Sequence, residues 1–262
     1  MNIDVPVLEV DDVVVRFGAV KALDGVTFRV EPGSIHSVIG PNGAGKSTML
    51  NVLSGVYRPK SGSVRFGQQE LVGMRPDKVT RLGVARAFQN LALSGGQSVE
   101  ENLMLGRHAL TRSGFLSSGL GWPTARAEER RHLRRVHEIA DFLDLTPDLH
   151  SPVGELSYGS QKRVEIARAL AMEPRILLLD EPVAGMNAGE KRYISSLIAR
   201  IAKSLSISVV LVEHDMEMVM SLSDRVTVLD FGRRIADGTP VEVQADPAVI
   251  GAYLGTPAES TS

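Results

Sequence analysis

The sequence predicts an α/β protein in which helices cover a largely parallel β-sheet. Two fully apolar runs, residues 176–179 and 209–212, suit strands that are buried on both faces of such a sheet. A further strand is predicted at 225–229, and segments with helical periodicity separate the three. A glycine-rich loop at 40–48 follows another apolar run, at 35–39. Strands that alternate with helices in this way indicate an α/β core.

The first part of the chain carries shorter, strand-like segments. Valines 13–15 and the segment 26–30 are separated by turn residues, and another short strand is predicted at 62–66. We expect these segments to form a small antiparallel β layer beside the strand at 35–39.

The composition is that of an ordinary globular chain, with 43% hydrophobic and 23% charged residues among 262. Cysteine is absent, so disulfides and thiolate metal sites are excluded, and a bound metal is expected to have oxygen ligands. The sequence predicts neither a secretion signal nor an apolar run of about 18 residues that could span a membrane. A net charge of −2 gives no basic surface for general nucleic-acid binding, so no nucleic-acid partner is expected.

The loop at 40–48 has the sequence of a phosphate-binding loop, G-x-x-x-x-G-K-[ST]. Its glycines allow backbone N–H groups to turn toward a β-phosphate, Lys46 can reach the β and γ oxygens, and Ser47 can ligate magnesium. The helix predicted to follow, ending near Gly55, adds the positive end of its dipole. A nucleotide is therefore the expected ligand, and the expected contacts are Gly40, Pro41, Asn42, Gly43, Ala44, Gly45, Lys46, Ser47 and Thr48.

Two carboxylates, Asp180 and Glu181, directly follow the strand at 176–179. The carboxyl ends of sheet strands are where open α/β sheets bind ligands. Asp180 suits the magnesium side, whereas Glu181 is placed to orient or deprotonate the water that attacks a γ-phosphate. By itself the pair could be a plain polar strand end, but the phosphate-binding loop upstream favours the catalytic interpretation.

A second candidate anion site lies at the N terminus of the helix predicted at about 158–172. Ser157 and Gly159 stand at its start, and Lys162 and Arg163 follow in its first turns. Backbone N–H groups at a helix N terminus can bind an anion. A serine in this position is nevertheless more often a simple N-cap than a ligand.

Taken together, the motifs resemble those of an ATP-binding cassette ATPase. They are the phosphate-binding loop, Leu-Ser-x-Gly-x-Gln at 156–161, Asp-Glu-Pro at 180–182 and a lone histidine, His214, after the next strand. The resemblance covers residues 7–254 and implies a P-loop NTPase (RecA-like) core with an antiparallel β subdomain and an inserted helical subdomain. It also implies that two subunits pair head to tail, with each ATP between one P-loop and three residues of the partner, Ser157, Gly159 and Gln161.

The resemblance assigns roles to three further positions. Phe17 resembles the aromatic residue that stacks on adenine, Gln89 the glutamine that senses magnesium, and His214 the switch histidine at the γ-phosphate. Without the resemblance, they would be interpreted as a buried ring, a surface amide and a strand-end histidine. The expected catalytic residues are Glu181, His214 and Gln89, and the expected magnesium ligands are Ser47, Gln89 and Asp180.

The resemblance also implies a domain organisation. Residues 7–255 form a single ATPase domain, with 7–90 and 156–255 as the nucleotide-binding core and β layer. Residues 91–155, which carry helical periodicity and no strong strand, form the helical subdomain. The small polar tail, 256–262, is expected to be disordered.

Two departures from the common family pattern indicate a subgroup. Tyr158 replaces the first glycine of the signature, so its ring must turn away from the nucleotide, and Asn187 stands where an aspartate is common. Both features resemble the ATPases of branched-chain amino acid importers. The expected partners are membrane permease subunits, a second cassette subunit of the same or another kind and, indirectly, a substrate-binding protein, at the cytoplasmic face of the inner membrane. ATP and Mg²⁺ are the expected cofactors.

Several alternatives stay open at this stage. Within the family, the alternatives are ATPases of transporters for urea, amides or lipopolysaccharide. The alternatives from other classes are a soluble non-transport cassette ATPase and a P-loop kinase. Residues 107–135 hold seven arginines, which suit either a solvated helix after a flexible loop or contact with the permease or anionic lipid. They are Arg107, Arg112, Arg126, Arg130, Arg131, Arg134 and Arg135.

Overall fold

The structure, a computed structural model, describes residues 5–87, 93–107, 110 and 123–254. The strands within these ranges are β1 (Leu8–Phe17), β2 (Val20–Val30), β3 (Ile35–Ile39), β4 (Ser61–Phe66), β5 (Gln69–Glu70), β6 (Val84–Ala87), β7 (Ile176–Asp180), β8 (Ser208–Val212), β9 (Arg225–Asp230) and β10 (Arg233–Gly238). The α-helices are α1 (Lys46–Leu53), α2 (Pro76–Arg81), α3 (Val99–Arg107), α4 (Pro123–Phe142), α5 (Tyr158–Leu170), α6 (Ala188–Leu205), α7 (Met216–Leu222), α8 (Pro240–Ala245) and α9 (Pro247–Leu254).

The larger sheet has the strand order β10-β9-β3-β8-β7-β6. Its strands pair in parallel except β10, which is antiparallel to β9. Every residue of β3, β7 and β8 is buried, because other elements pack against both faces of the sheet. The predicted α/β fold class is confirmed, and so are the strands expected at 176–179, 209–212 and 225–229.

The smaller sheet is antiparallel, with the order β2-β1-β4-β5, as the strand-like segments near the N terminus predict. Its inward residues share one hydrophobic cluster with α1 and with one face of the larger sheet. This cluster contains Val10 and Phe28 of the small sheet, Leu50 of α1 and Leu178 of β7. This packing holds the small sheet against the helix that follows the phosphate-binding loop.

The regular elements described between β6 and α5 are all helices or 3-10 turns, and the residues between these elements form turns, loops and an isolated bridge between Ser98 and Pro152. The elements are α3, α4 and two short 3-10 turns, at Thr146–Asp148 and Val153–Glu155. Their apolar side chains belong to the same cluster as the second face of the larger sheet, for example Leu103, Val136 and Leu177. The boundary of a subdomain at 91–155 therefore stays a prediction. No helix in the described part of the chain is long and apolar enough to cross a bilayer.

The arginine-rich segment does not have a uniform environment. Arg107 is buried and donates to the carbonyl of Ala171 (2.9 Å), to Glu173 Oε1 (2.7 Å) and to His132 Nδ1 (2.9 Å). A solvated helix is therefore the wrong interpretation for Arg107. On α4, by contrast, Arg130, Arg131 and Arg134 are exposed. Residues 111–122 and the tail 256–262 lie outside the described residues.

His36 lies in the middle of the larger sheet and is 1% exposed. Its Nε2 lies 2.8 Å from Thr227 Oγ1, and its ring stacks on Phe28. Burial, assisted by the positive charge of Arg225, lowers the pKa of His36 from 6.5 to about 3. Below pH 6.5 the unfolded chain binds a proton at His36 that the folded chain does not bind. His36 therefore leaves stability unchanged above pH 6.5 and lowers it progressively as the pH falls toward 3.

We expect the His36→Gln variant to have a flatter stability profile in acid than the natural chain. Between pH 6.5 and about 3, His36 costs the natural chain about 1.4 kcal/mol of unfolding free energy for each pH unit. Denaturant unfolding at about pH 7.5 and about pH 5 measures the difference, with the exposed His150→Gln as control. An equal loss of unfolding free energy between about pH 7.5 and about pH 5 in His36→Gln and in the natural chain would contradict this assignment.

Candidate nucleotide-binding site

The phosphate-binding loop joins β3 to α1, and its shape depends on glycine. Gly40, Gly43 and Gly45 have φ angles of 149°, 81° and 104°. A Cβ on Gly40 would lie 2.0 Å from the carbonyl oxygen of Leu229, and one on Gly45 would lie 2.6 Å from that of Ala22. A Cβ on Gly43 would meet no atom within 4 Å. The first and third glycines are thus required by close backbone neighbours, and the second by its backbone conformation.

Lys46 is the first residue of α1 and is largely buried. Its Nζ donates to the carbonyl oxygens of Gly40 (2.7 Å) and Pro41 (2.9 Å). Burial lowers the pKa of the Lys46 ammonium, and the carboxylates of Glu181 and Asp180 oppose that shift. A cation at a helix start, inside a loop of turned N–H groups, is a chemical environment suited to a polyphosphate.

Asp180 ends β7 and forms a buried ion pair that the sequence did not predict. Its Oδ2 accepts from Arg86 Nη2 at 2.7 Å, and the two side chains are only 4% and 9% exposed. Arg86 Nη1 also donates to Asn51 Oδ1 at 2.6 Å. Arg86 therefore connects strand β6, helix α1 and the carboxylate expected on the magnesium side.

Glu181 and His214 follow neighbouring strands, and the structure brings them together. Glu181 has a φ angle of 47°, and its N–H donates to the carbonyl of Val212 at 2.8 Å. His214 Nδ1 lies 3.8 Å from Glu181 Oε1, and the histidine side chain is 61% exposed. The carboxylate expected to act as base and the expected switch histidine thus lie at one edge of the sheet.

The start of α5 carries the signature residues. Ser157 is the N-cap, its Oγ accepting from the N–H of Ser160 at 3.2 Å, and Gln161 Nε2 donates to the carbonyl of Leu156 at 3.0 Å. A Cβ on Gly159 would lie 3.2 Å from Glu190 Oε1. Among the described residues, no hydrogen bond or ion pair joins 157–161 to the loop at 40–48, so the structure does not bring these two groups together.

Tyr158 lies against the loop that follows Glu181. Its hydroxyl donates to the carbonyl of Ala184 at 3.2 Å, and Lys162 Nζ lies 5.6 Å from the centre of its ring. This hydrogen bond connects the first residue of α5 to the segment that leads into α6.

Of the two remaining predicted residues, the structure describes one. The Phe17 ring ends β1, is 48% exposed and packs edge-on against Tyr57, with 5.2 Å between ring centroids. The alternative interpretation of Phe17 as a buried core ring is therefore wrong. Gln89 lies outside the described residues.

Two buried charged residues of this region were missing from the sequence prediction. Arg86 is a single charge in a short strand, and Glu213 is a carboxylate directly after the apolar run 209–212. Glu213 repeats the pattern that pointed to Asp180 and Glu181, a carboxylate at the end of a buried strand, so that signal could have found it. Nothing comparable pointed to Arg86.

The fold and the phosphate-binding loop define a P-loop nucleotide-binding protein, and comparison with known proteins gives its family. Residues 23–184 match the ABC transporter family, and residues 233–259 match a family described as branched-chain amino acid ATP-binding cassette transporter. The chain belongs to the ABC transporter family. The predictions of nucleotide binding and of a transporter ATPase are confirmed.

Similar proteins cover nearly the whole chain. It is 41% identical to the high-affinity branched-chain amino acid transport ATP-binding protein BraF of Pseudomonas aeruginosa, over 95% of this chain and 98% of BraF. It is 38% identical to the corresponding Escherichia coli K12 protein, LivG, with the same coverage. The ADP conformation of MJ1267, an ATP-binding cassette of an ABC transporter, superposes with a TM-score of 0.83 at 32% identity, covering 96% of this chain and 99% of that one.

Proposed function

We propose that this chain is the ATP-hydrolysing subunit of an importer for branched-chain amino acids. The observation that carries the proposal is its similarity to BraF over almost the entire length of both chains. The match of residues 233–259 to the branched-chain amino acid cassette family supports it from a separate region. These findings favour branched-chain amino acids over urea, amides or lipopolysaccharide as the transported solute.

In the proposed site, the P-loop holds the ATP phosphates and Lys46 exchanges its two carbonyl partners for β and γ oxygens. Phe17, an exposed ring at the end of β1, is available to stack on adenine. The remaining P-loop contacts are Gly40, Pro41, Asn42, Gly43, Ala44, Gly45, Ser47 and Thr48, and the contacts from the partner subunit are Ser157, Gly159 and Gln161.

The oxygen groups near the P-loop fit a magnesium ion, which prefers oxygen ligands. Ser47 lies in the first turn of α1, and Asp180 offers a carboxylate whose second oxygen is engaged by Arg86. We assign Ser47, Asp180 and Gln89 to this ion. When bound, it would neutralise charge on the phosphate oxygens.

The proposed hydrolytic step depends on Glu181 and His214. Glu181 orients the attacking water and accepts its proton, which is the function of a general base. His214 lies 3.8 Å from Glu181 Oε1 and is placed to contact the γ-phosphate that this water attacks. Lys46 supplies positive charge to the phosphoryl oxygens as the water attacks.

We propose that ATP binding closes a head-to-tail dimer, formed with a second copy or with a different cassette subunit. The core, 7–90 and 156–255, binds the nucleotide, and the helical subdomain, 91–155, transmits its movement through Gln89. The movement is transmitted to membrane permease subunits at the cytoplasmic face of the inner membrane. These subunits in turn act with a substrate-binding protein.

The solute is tested by reconstitution. The chain is assembled in lipid vesicles with the permease subunits and binding protein that co-purify with it, and ATP-dependent uptake of labelled leucine, isoleucine, valine and urea is measured. We expect uptake of the branched-chain amino acids, and none with the Lys46→Ala variant as control. ATP-driven uptake of urea without leucine would contradict the proposed solute while leaving the ATPase assignment intact.

We expect Ser157→Arg to prevent formation of the ATP-bound dimer while the P-loop of the same chain still binds ATP. The arginine would place bulk and charge at the helix start that is proposed to face the partner's nucleotide. Analytical ultracentrifugation with ATP, together with equilibrium nucleotide titration, measures the two properties. Ser196→Arg on the exposed side of α6 is the control, and an unchanged ATP-bound dimer in Ser157→Arg would contradict the shared site.

A further inference from the structure

Glu213 is a fully buried carboxylate, 0% exposed, at the end of β8. Both of its oxygens accept backbone hydrogen bonds. Oε1 accepts from the N–H of Val183 at 3.1 Å, and Oε2 accepts from the N–H groups of His214 (3.0 Å) and Asp215 (3.4 Å). This carboxylate has no role in the hydrolytic step proposed above.

The two sets of donors belong to the two loops that carry the proposed hydrolytic residues. Val183 stands two positions after Glu181, and the N–H of Ala184 donates back to the carbonyl of Glu181 at 3.2 Å, so the loop is a tight turn. His214 and Asp215 form the loop after β8. One side chain is therefore hydrogen-bonded to the loop of the base and to the loop of the switch histidine.

We propose that Glu213 is a positioning residue for ATP hydrolysis, which fixes the separation between Glu181 and His214 by holding both loops through one carboxylate. The inference rests on the proposed roles of Glu181 and His214. A side chain that links the two loops directly sets their relative position more rigidly than separate contacts to each loop would.

The chemistry of the carboxylate explains why this position needs an acid. Burying a carboxylate is unfavourable unless hydrogen bonds compensate for its lost hydration, and three N–H donors do so here. A glutamine has nearly the same volume but only one acceptor oxygen. Whichever way its amide turns, its NH₂ group faces N–H donors on one side, so one of the two loops must move.

The matched experiment compares Glu213→Gln with Glu217→Gln, the same chemical change on an exposed residue four positions later. Both are measured in the full-length chain for kcat, KM, equilibrium ATP affinity and thermal midpoint. We expect Glu213→Gln to lower kcat by at least about tenfold, because small displacements of catalytic groups have large effects on rate. ATP affinity should change by less than about threefold, since the P-loop is untouched, and Glu217→Gln should match the natural chain.

This split between kcat and affinity separates positioning from a merely structural role. A kcat within about twofold of the natural value, or a loss of ATP affinity as large as the loss of kcat, would overturn the proposal. If Glu213→Gln does not fold, Glu213→Asp replaces it. The aspartate keeps the charge and both acceptors but is one methylene too short to hold both loops, so the same fall in kcat is expected, and natural kcat would overturn the proposal.

The natural chain and Glu181→Gln are run in the same assay. Absence of ATP hydrolysis by the natural chain would refute the proposed function itself. If the natural chain hydrolyses ATP and Glu181→Gln does not, the proposed function stands, and the Glu213 variants then test this inference alone.

Discussion

The Glu181→Gln variant is expected to lose ATP turnover by at least about 100-fold while it still binds ATP, because a general base contributes about 10²- to 10⁴-fold to a rate. Glutamine keeps the shape of the side chain and can still orient water, but it cannot take the proton. Lys46 Nζ donates to the carbonyl oxygens of Gly40 and Pro41, and these hydrogen bonds remain possible in the variant. Bound ATP that is not hydrolysed should also hold the proposed dimer closed.

Three measurements on one preparation check this expectation. Phosphate release gives turnover, nucleotide titration gives affinity, and size-exclusion chromatography with ATP gives the oligomeric state. Glu217→Gln, a carboxylate-to-amide change outside the proposed site, should behave as the natural chain. Turnover that survives in Glu181→Gln would remove Glu181 from the role of base.

The Arg86→Met variant is expected to be less stable than the natural chain by about 3 kcal/mol or more, because it leaves the buried Asp180 carboxylate without its ion-pair partner. For a chain of this size, that loss corresponds to a fall in thermal midpoint of at least roughly 6 °C. Urea unfolding and thermal unfolding both measure the effect.

Two further variants identify the cause of the loss. Arg86→Met combined with Asp180→Asn should recover most of the stability, since no unpaired charge is left in the interior. Asn51→Ala removes one acceptor of Arg86 but leaves the ion pair, so it should cost only about 1 kcal/mol. Arg86→Met unfolding within about 1 kcal/mol of the natural chain would show that the pair does not contribute as described.

Local pattern predicts most of the core. The P-loop, the buried strands β7 and β8, and the start of α5 each have a signal within a few consecutive residues: a motif, an apolar run or a cap. Strand β6 has no such signal, because it is only four residues long and Arg86 interrupts its apolar pattern. It forms a strand because all four of its residues pair with β7, which is distant in sequence, so its cause is tertiary.

The site is predictable in its parts but not in its internal connections. Sequence placed Asp180 and Glu181 at the end of one strand and His214 after the next, and adjacent parallel strands bring such ends together. Arg86 pairs with Asp180, and Glu213 accepts from Val183 in addition to its neighbours in the chain. Asp180 and Val183 are distant in sequence from these partners, so no short pattern could reveal the two connections. Gln89 stays a prediction from family resemblance.

The hydrogen bond from Tyr158 to Ala184 has a consequence for how two ATP molecules would be used. Tyr158 begins the helix proposed to face the partner's nucleotide, and Ala184 belongs to the turn that starts at the chain's own Glu181. In the proposed dimer, a shift of the helix on release of one nucleotide would pull on the turn beside the other. In such a dimer the two ATP molecules would therefore not be hydrolysed independently, because each subunit connects one nucleotide site to the other.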